Sequence, residues 1–144
     1  MLPNFIRRPV KTATMATDIK NLDILPEEAI ITGSAGLVLH GIKLNRVVND
    51  FDVILPYYIP MGDNEIDNKY PSACDFDYSV TLNGIKIDIR IDPKAKYKLI
   101  NYNDKLYKVS PLHEILYYKA KYAMQGNGKH IDDIKTMLNG SITH

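Results

Sequence analysis

Thr32-Gly33-Ser34-Ala35-Gly36-Leu37-Val38-Leu39-His40-Gly41, followed by Asn49-Asp50-Phe51-Asp52-Val53-Ile54-Leu55, decides how the rest of the chain is read. The apolar run Ala29-Ile30-Ile31-Thr32 ahead of it predicts a short buried strand, and Leu37, Val38, Leu39 and Ile42 suit a short helix packed on a sheet. Strand, small-residue turn and helix therefore follow one another directly. Such a turn can aim backbone N–H groups and the Ser34 hydroxyl at a phosphate, because a helix N-terminus carries unpaired donors and partial positive charge. The same residues would serve a plain strand-to-helix turn capped by Ser34.

Asp50 to Leu55 begins polar, turns apolar and stops at Pro56, which predicts a strand entering a core. Side chains alternate along a strand, so Asp50 and Asp52 share the face opposite Phe51 and Val53. Two carboxylates about 7 Å apart on one strand face can hold a divalent cation through oxygen. Asp-x-Asp alone says little, because Asp75-Phe76-Asp77 repeats it without the Gly-Ser turn before or the Val-Ile-Leu run after. That second triplet reads as a solvated strand start.

Further along, Tyr78 to Leu82, the Asn83-Gly84 pair and Ile85 to Asp92 spell a β-hairpin with a two-residue turn. Ile85, Ile87, Ile89 and Ile91 turn to the core, and Lys86, Asp88, Arg90 and Asp92 turn the other way. If this strand lies beside the one carrying Asp50 and Asp52, Asp88 becomes a third carboxylate, held rigidly in mid-strand. Asp92, next to Pro93, sits nearer the strand end, and Arg90 could make a cross-strand salt bridge.

Lys94 to Val109 interleaves Lys with Tyr around a second hairpin turn at Asn103-Asp104, a pattern that suits a solvated amphipathic hairpin or contact with a nucleic-acid strand. Ser110-Pro111-Leu112-His113-Glu114 supplies an N-cap, a proline for the first helical position and a first-turn acid, predicting a helix to about Gln125. Lys119 falls on the stripe of Leu112, Ile115, Leu116, Ala120 and Ala123, so it either snorkels from the stripe's edge or delivers a cation to a phosphate. Gly126-Asn127-Gly128 ends that helix, and Lys129 to Leu138 predicts the last one, in which Lys129 and Asp133 could form a salt bridge.

The 144 residues predict one domain over 26–144 behind an N-terminal arm, 1–25, with a short helix near Thr17 to Leu22. Tyr57 to Asp75 has the composition of a long surface loop. A net charge of +1 provides no global field for polyanions, so any nucleic-acid partner must be held locally. The single cysteine, Cys74, excludes an intramolecular disulfide and a multi-cysteine zinc site, and the four histidines lack paired ligand spacing. With no long apolar run and no leader-like N-terminus, the expectation is a cytoplasmic protein with no membrane partner.

Taken together, Ile30-Ile31, Gly33-Ser34, Asp50, Asp52 and Asp88 resemble the nucleotidyltransferase superfamily that includes DNA polymerase beta, especially its small prokaryotic and phage members of the abortive-infection, phage-defence and toxin–antitoxin kind. The Ser110-Pro111 helix with Lys119, and Lys129-His130 with Asp133-Ile134, look like the helices that follow the catalytic domain there. The resemblance covers about residues 29 to 138; the fifteen residues between Ser34 and Asp50 are slightly more than that pattern usually has. It implies an α+β fold, a small mixed or antiparallel sheet flanked by helices, with C-terminal helices.

The resemblance further implies an enzyme that moves a nucleoside monophosphate from a nucleoside triphosphate such as ATP to a hydroxyl of RNA, tRNA-like, or protein. Asp50, Asp52 and Asp88 would hold Mg²⁺ or Mn²⁺, Gly33 and Ser34 the β- and γ-phosphates, and Lys119 and Lys129 would add positive charge. The other expectation is a non-catalytic interaction module on the same fold, an antitoxin or a phage or host regulatory binding protein.

Overall fold

Ile30–Thr32 forms strand β1 and leads straight into helix α1, Gly33–Leu39. The remaining elements are β2 (Phe51–Leu55), β3 (Ile66–Asp67), β4 (Tyr78–Leu82), β5 (Ile85–Ile91), β6 (Lys98–Tyr102), β7 (Lys105–Val109) and α2 (Leu112–Met124). Residues 130–136 are again helical, here α3. The computed structural model describes residues 19–45, 47–48, 50–62, 64–67, 76–124 and 130–136. Cys74, Asp75, Lys129 and residues 1–18 of the arm lie outside them.

The strands make one seven-stranded mixed sheet in the order β3-β4-β5-β2-β1-β7-β6, and with its helices the fold is α+β, as expected. Both hairpins turn where the sequence places them. Asn83 and Gly84 have φ 51° and 78°, and Asn103 and Asp104 have φ 53° and 67°, the doubly left-handed backbone whose twist matches the flanking strands. The non-local pairings set the rest: β2 runs antiparallel to β1 and parallel to β5, and β1 runs parallel to β7.

One face of the sheet is the core. Ile31, Phe51, Val53, Leu55, Tyr78, Val80, Ile87, Ile89 and Val109 pack there with Leu37, Val38 and Leu39 of α1 and Ile115 of α2. Ile19 and Leu22, from the end of the predicted arm, belong to the same cluster, and the Ile19 amide donates to the Tyr102 hydroxyl at 3.1 Å. Gly36 lets α1 and α2 meet: a Cβ there would lie 2.8 Å from the Ile115 δ-methyl.

Several local expectations shift. Asp50 lies one residue before β2 and is exposed, while the loop after Pro56 contributes the two-residue edge strand β3. Burial pushes the Tyr78 phenol above its usual range, and its hydroxyl donates to the Ile59 carbonyl at 2.9 Å, holding that loop on the core. Asp77 of the repeated triplet is, as expected, an exposed residue at the start of β4, its carboxylate accepting from the Ile91 amide at 2.7 Å. Ser110 does not cap α2 with its side chain. Its amide donates to the Ile31 carbonyl, continuing the β1–β7 ladder, and its buried hydroxyl has no hydrogen-bond partner among the described residues.

Ile87 is completely buried and Ile85, two residues nearer the turn, is half-buried. We therefore expect Ile87→Ala to cost about 2–5 kcal/mol in urea unfolding, and Ile85→Ala clearly less; equal losses would contradict the facing assigned to β5.

Candidate functional site

The second face of the sheet carries a polar row. Thr32 is in register with Asp52, Asp52 with Asp88, and Asp88 with Ser79, so four neighbouring strands, β1, β2, β5 and β4, each place a polar side chain on the same line. Adjacent strands are about 4.8 Å apart, and registered residues project from one face. The carboxylates of Asp52 and Asp88 are thus direct neighbours. Like charges facing one another across strands destabilise a sheet, so the pair invites a cation between or above them.

The row beneath is Lys108, Ile30, Ile54 and Arg90, of which Ile30 and Ile54 are buried. The Arg90 guanidinium lies 4.4 Å from the centre of the Tyr118 ring on α2 and hydrogen-bonds its hydroxyl, instead of bridging to a carboxylate across the strands. Lys86 stands two residues before Asp88 on the same face of β5, its ammonium 3.7 Å from Asp88 and its side chain 57% exposed. One step beyond the ladder, the same register sets Asp50 across from Lys86.

The turn after β1 closes against this row. Gly33 has φ 63°, and a Cβ on it would fall 2.4 Å from Oδ2 of Asp52. The missing side chain therefore leaves Asp52 its place, and the turn and the carboxylate are in contact. Oxygen donors from Asp52, Asp88 and the Thr32 and Ser79 hydroxyls are of the kind a hard divalent cation such as Mg²⁺ prefers. Among the described residues no three His, Cys, Asp or Glu side chains are already gathered in a ligating group.

Ser34 points elsewhere. Its hydroxyl accepts from the Lys119 ammonium at 2.6 Å and donates to Asp133 Oδ2 at 3.1 Å. Lys119 and Asp133, 2% and 3% exposed, form an ion pair at 2.5 Å, with His130 Nδ1 3.3 Å from the ammonium. This cluster joins the first turn of α1 to α2 and α3. Lys119 neither snorkels to water nor reaches over the sheet, and its charge is met inside the fold by Asp133. Sequence reading noticed Asp133 but paired it with Lys129 on its own helix; His130 and Asp133 at three-residue spacing were the available sign of a common inward face.

Removing one member of a buried ion pair leaves the other uncompensated, whereas replacing both by apolar residues is far milder. Lys119→Met is expected to destabilise by about 3–5 kcal/mol, and Lys119→Met/Asp133→Leu to recover most of it, as read by thermal and urea unfolding; a double variant no better than the single would exclude direct pairing. Gly41, at φ 90° with no atom within 4 Å of its Cβ position, gives a control for the turn. Both Gly33→Ala and Gly41→Ala incur the left-handed backbone cost of about 1–2 kcal/mol, but only Gly33→Ala should also displace Asp52 and abolish any Mg²⁺-dependent rise in melting temperature.

No helix among the described residues is long and apolar enough to cross a membrane. Compared with protein-family models, curated proteins and solved structures, the chain matches none.

Proposed function

We propose that the chain is a metal-dependent nucleotidyltransferase of the DNA polymerase beta-like superfamily, transferring a nucleoside monophosphate from a nucleoside triphosphate to a hydroxyl of RNA or protein. The observation that carries this reading is the register of Asp52 with Asp88, with the Gly33 turn closed against Asp52. A strand, a glycine turn and two rigid neighbouring carboxylates are what positioning a triphosphate beside Mg²⁺ demands.

Asp52 and Asp88 would hold Mg²⁺ or Mn²⁺, with Asp50 joining from the segment just before β2. Held by these carboxylates, the ion would supply charge neutralisation to the phosphates and a lower pKa to the acceptor hydroxyl. The triphosphate lies against the Gly33-Ser34 turn. The acceptor oxygen bonds to the α-phosphorus as the bond from that phosphorus to the bridging oxygen breaks and pyrophosphate leaves; the hydroxyl proton passes to a carboxylate of the row, Asp88 being the one in mid-strand. Ser34 and Lys119 act as positioning residues, since the Ser34 hydroxyl is anchored to Lys119 and Asp133. That anchor fixes the turn against which the phosphates rest.

Incubation with Mg²⁺, each α-labelled nucleoside triphosphate and a cell extract should yield a labelled macromolecule. Asp52→Asn and Asp88→Asn should reduce labelling to background while circular dichroism stays unchanged. Absence of label with all four nucleotides, together with no stabilisation by nucleotide and Mg²⁺, would transfer the chain to the class of non-catalytic interaction modules.

A further inference from the structure

Toward the β6 edge of the sheet lies a feature that the carboxylate row does not use. A groove of about 490 Å³ runs between the segment Leu22 to Ala29 and the β6–β7 hairpin. Leu22, Leu25, Pro26 and Ala29 form one wall, and Leu99, Lys105, Leu106, Tyr107 and Lys108 the other. Leu99 and Leu106 are each 59% exposed, an unusual outlay of leucine beside water. Glu27 is the acid in the lining.

The hairpin wall is basic, with Lys105 and Lys108 in the lining. From Lys94 to Lys108 there are five lysines against one acid, Asp104, in a protein whose net charge is only +1. Lys94, Lys96, Lys98 and Lys105 are exposed, and the lysines come with aromatic rings: Lys105 lies 5.3 Å from the Tyr107 ring and Lys108 5.0 Å from that of Tyr97. Lys105 leaves β7 on the side of Tyr107 and Lys108 on the side of Leu106, and both line the groove, so the apolar slot is flanked by an ammonium group from each face, complementary to an unpaired base with a phosphate on either side. Protein partners of an apolar groove do not require lysines on both of its sides; a polyanion does.

Position strengthens the match. Lys108 is registered with Ile30 of β1, so it lies on the face that carries Thr32, Asp52 and Asp88. Two strand spacings and the two-residue offset from Ile30 to Thr32 put Lys108 and Asp52 about 12 Å apart, a distance two nucleotides of an extended strand can span.

We propose that this groove and the Lys94–Lys108 hairpin are the docking surface for single-stranded RNA, an unpaired base entering between Leu25 and Leu106 and the flanking phosphates resting on Lys105 and Lys108. The surface would present the RNA end to the carboxylate row, and in that respect it rests on the nucleotidyltransferase reading; binding itself does not. Glu27 can accept from an exocyclic amine of the base.

Fluorescence anisotropy of the full chain with a labelled single-stranded 12-nucleotide RNA, without nucleotide, tests it. We expect saturable binding that weakens with salt, and Lys105→Glu/Lys108→Glu should weaken it at least about tenfold and flatten the logarithmic salt slope by about 1.4, the value for two lost phosphate contacts. Leu106→Asp, which alters the slot but none of the lysines, should also weaken binding, and thermal unfolding verifies that each variant is folded. Unchanged affinity in the double variant, equal affinity for duplex RNA, or equal competition by polyglutamate would each overturn the assignment. Asp52→Asn separates the two readings: RNA binding retained while labelling is lost supports both, and wild-type labelling without measurable RNA binding overturns this surface alone.

Discussion

The parallel pairing of β2 with β5 is the constraint on which the polar face depends. Each strand brings one carboxylate, Asp52 or Asp88, and only this register sets them side by side. A slip by one residue would send Asp88 into the core and Ile87 or Ile89, both completely buried, out to water. The apolar face therefore fixes the polar one. Burial of Phe51, Val53, Ile87 and Ile89 supplies the energy, and alternation turns it into the placement of two acids that would otherwise repel.

A second constraint acts from the helical side. The Gly33 turn touches Asp52, while the next residue, Ser34, is tied to Lys119 and Asp133. A turn between a three-residue strand and a seven-residue helix has little stability of its own, and helices this short are marginal without tertiary support. The buried ion pair provides that support from two other helices. Such pairs contribute little net stability because desolvation offsets attraction; what this one contributes is position. It holds α1, α2 and α3 in one arrangement and so sets the distance between the turn and the sheet.

The centre of the sheet and one edge thus divide their chemistry. Around β2 and β5 the surface is acidic and rigid, built on central strands. At β6 and β7 it is basic and edged by exposed leucines, on a hairpin where lysine also guards an edge strand against pairing with other chains. With a net charge of only +1, this separation would orient a polyanion along the sheet without attracting one to the whole surface.

The elements whose reasons are local could be read from the chain. Both hairpins, the buried strand before Gly33, the apolar strand ending at Leu55 and the helix after Pro111 each carry their own turn, cap or alternation, and all are present. Asp88 was placed on the correct face by alternation alone. What the sequence could not contain was the partner of each strand or charge. Lys119 and Asp133 are fourteen residues apart, on α2 and α3, and Ser34 is eighty-five residues from Lys119; nothing in local spacing joins them. The stripe predicted on α2 buries Ile115 and Lys119 but leaves Leu112 and Leu116 partly exposed, because the face that packs is chosen by α1 and α3, not by hydrophobicity along the helix. Sequence by itself determined which residues could be strands, turns and inward faces. Tertiary structure decided which of them meet, because pairing register and ion-pair choice are settled by burial across the fold.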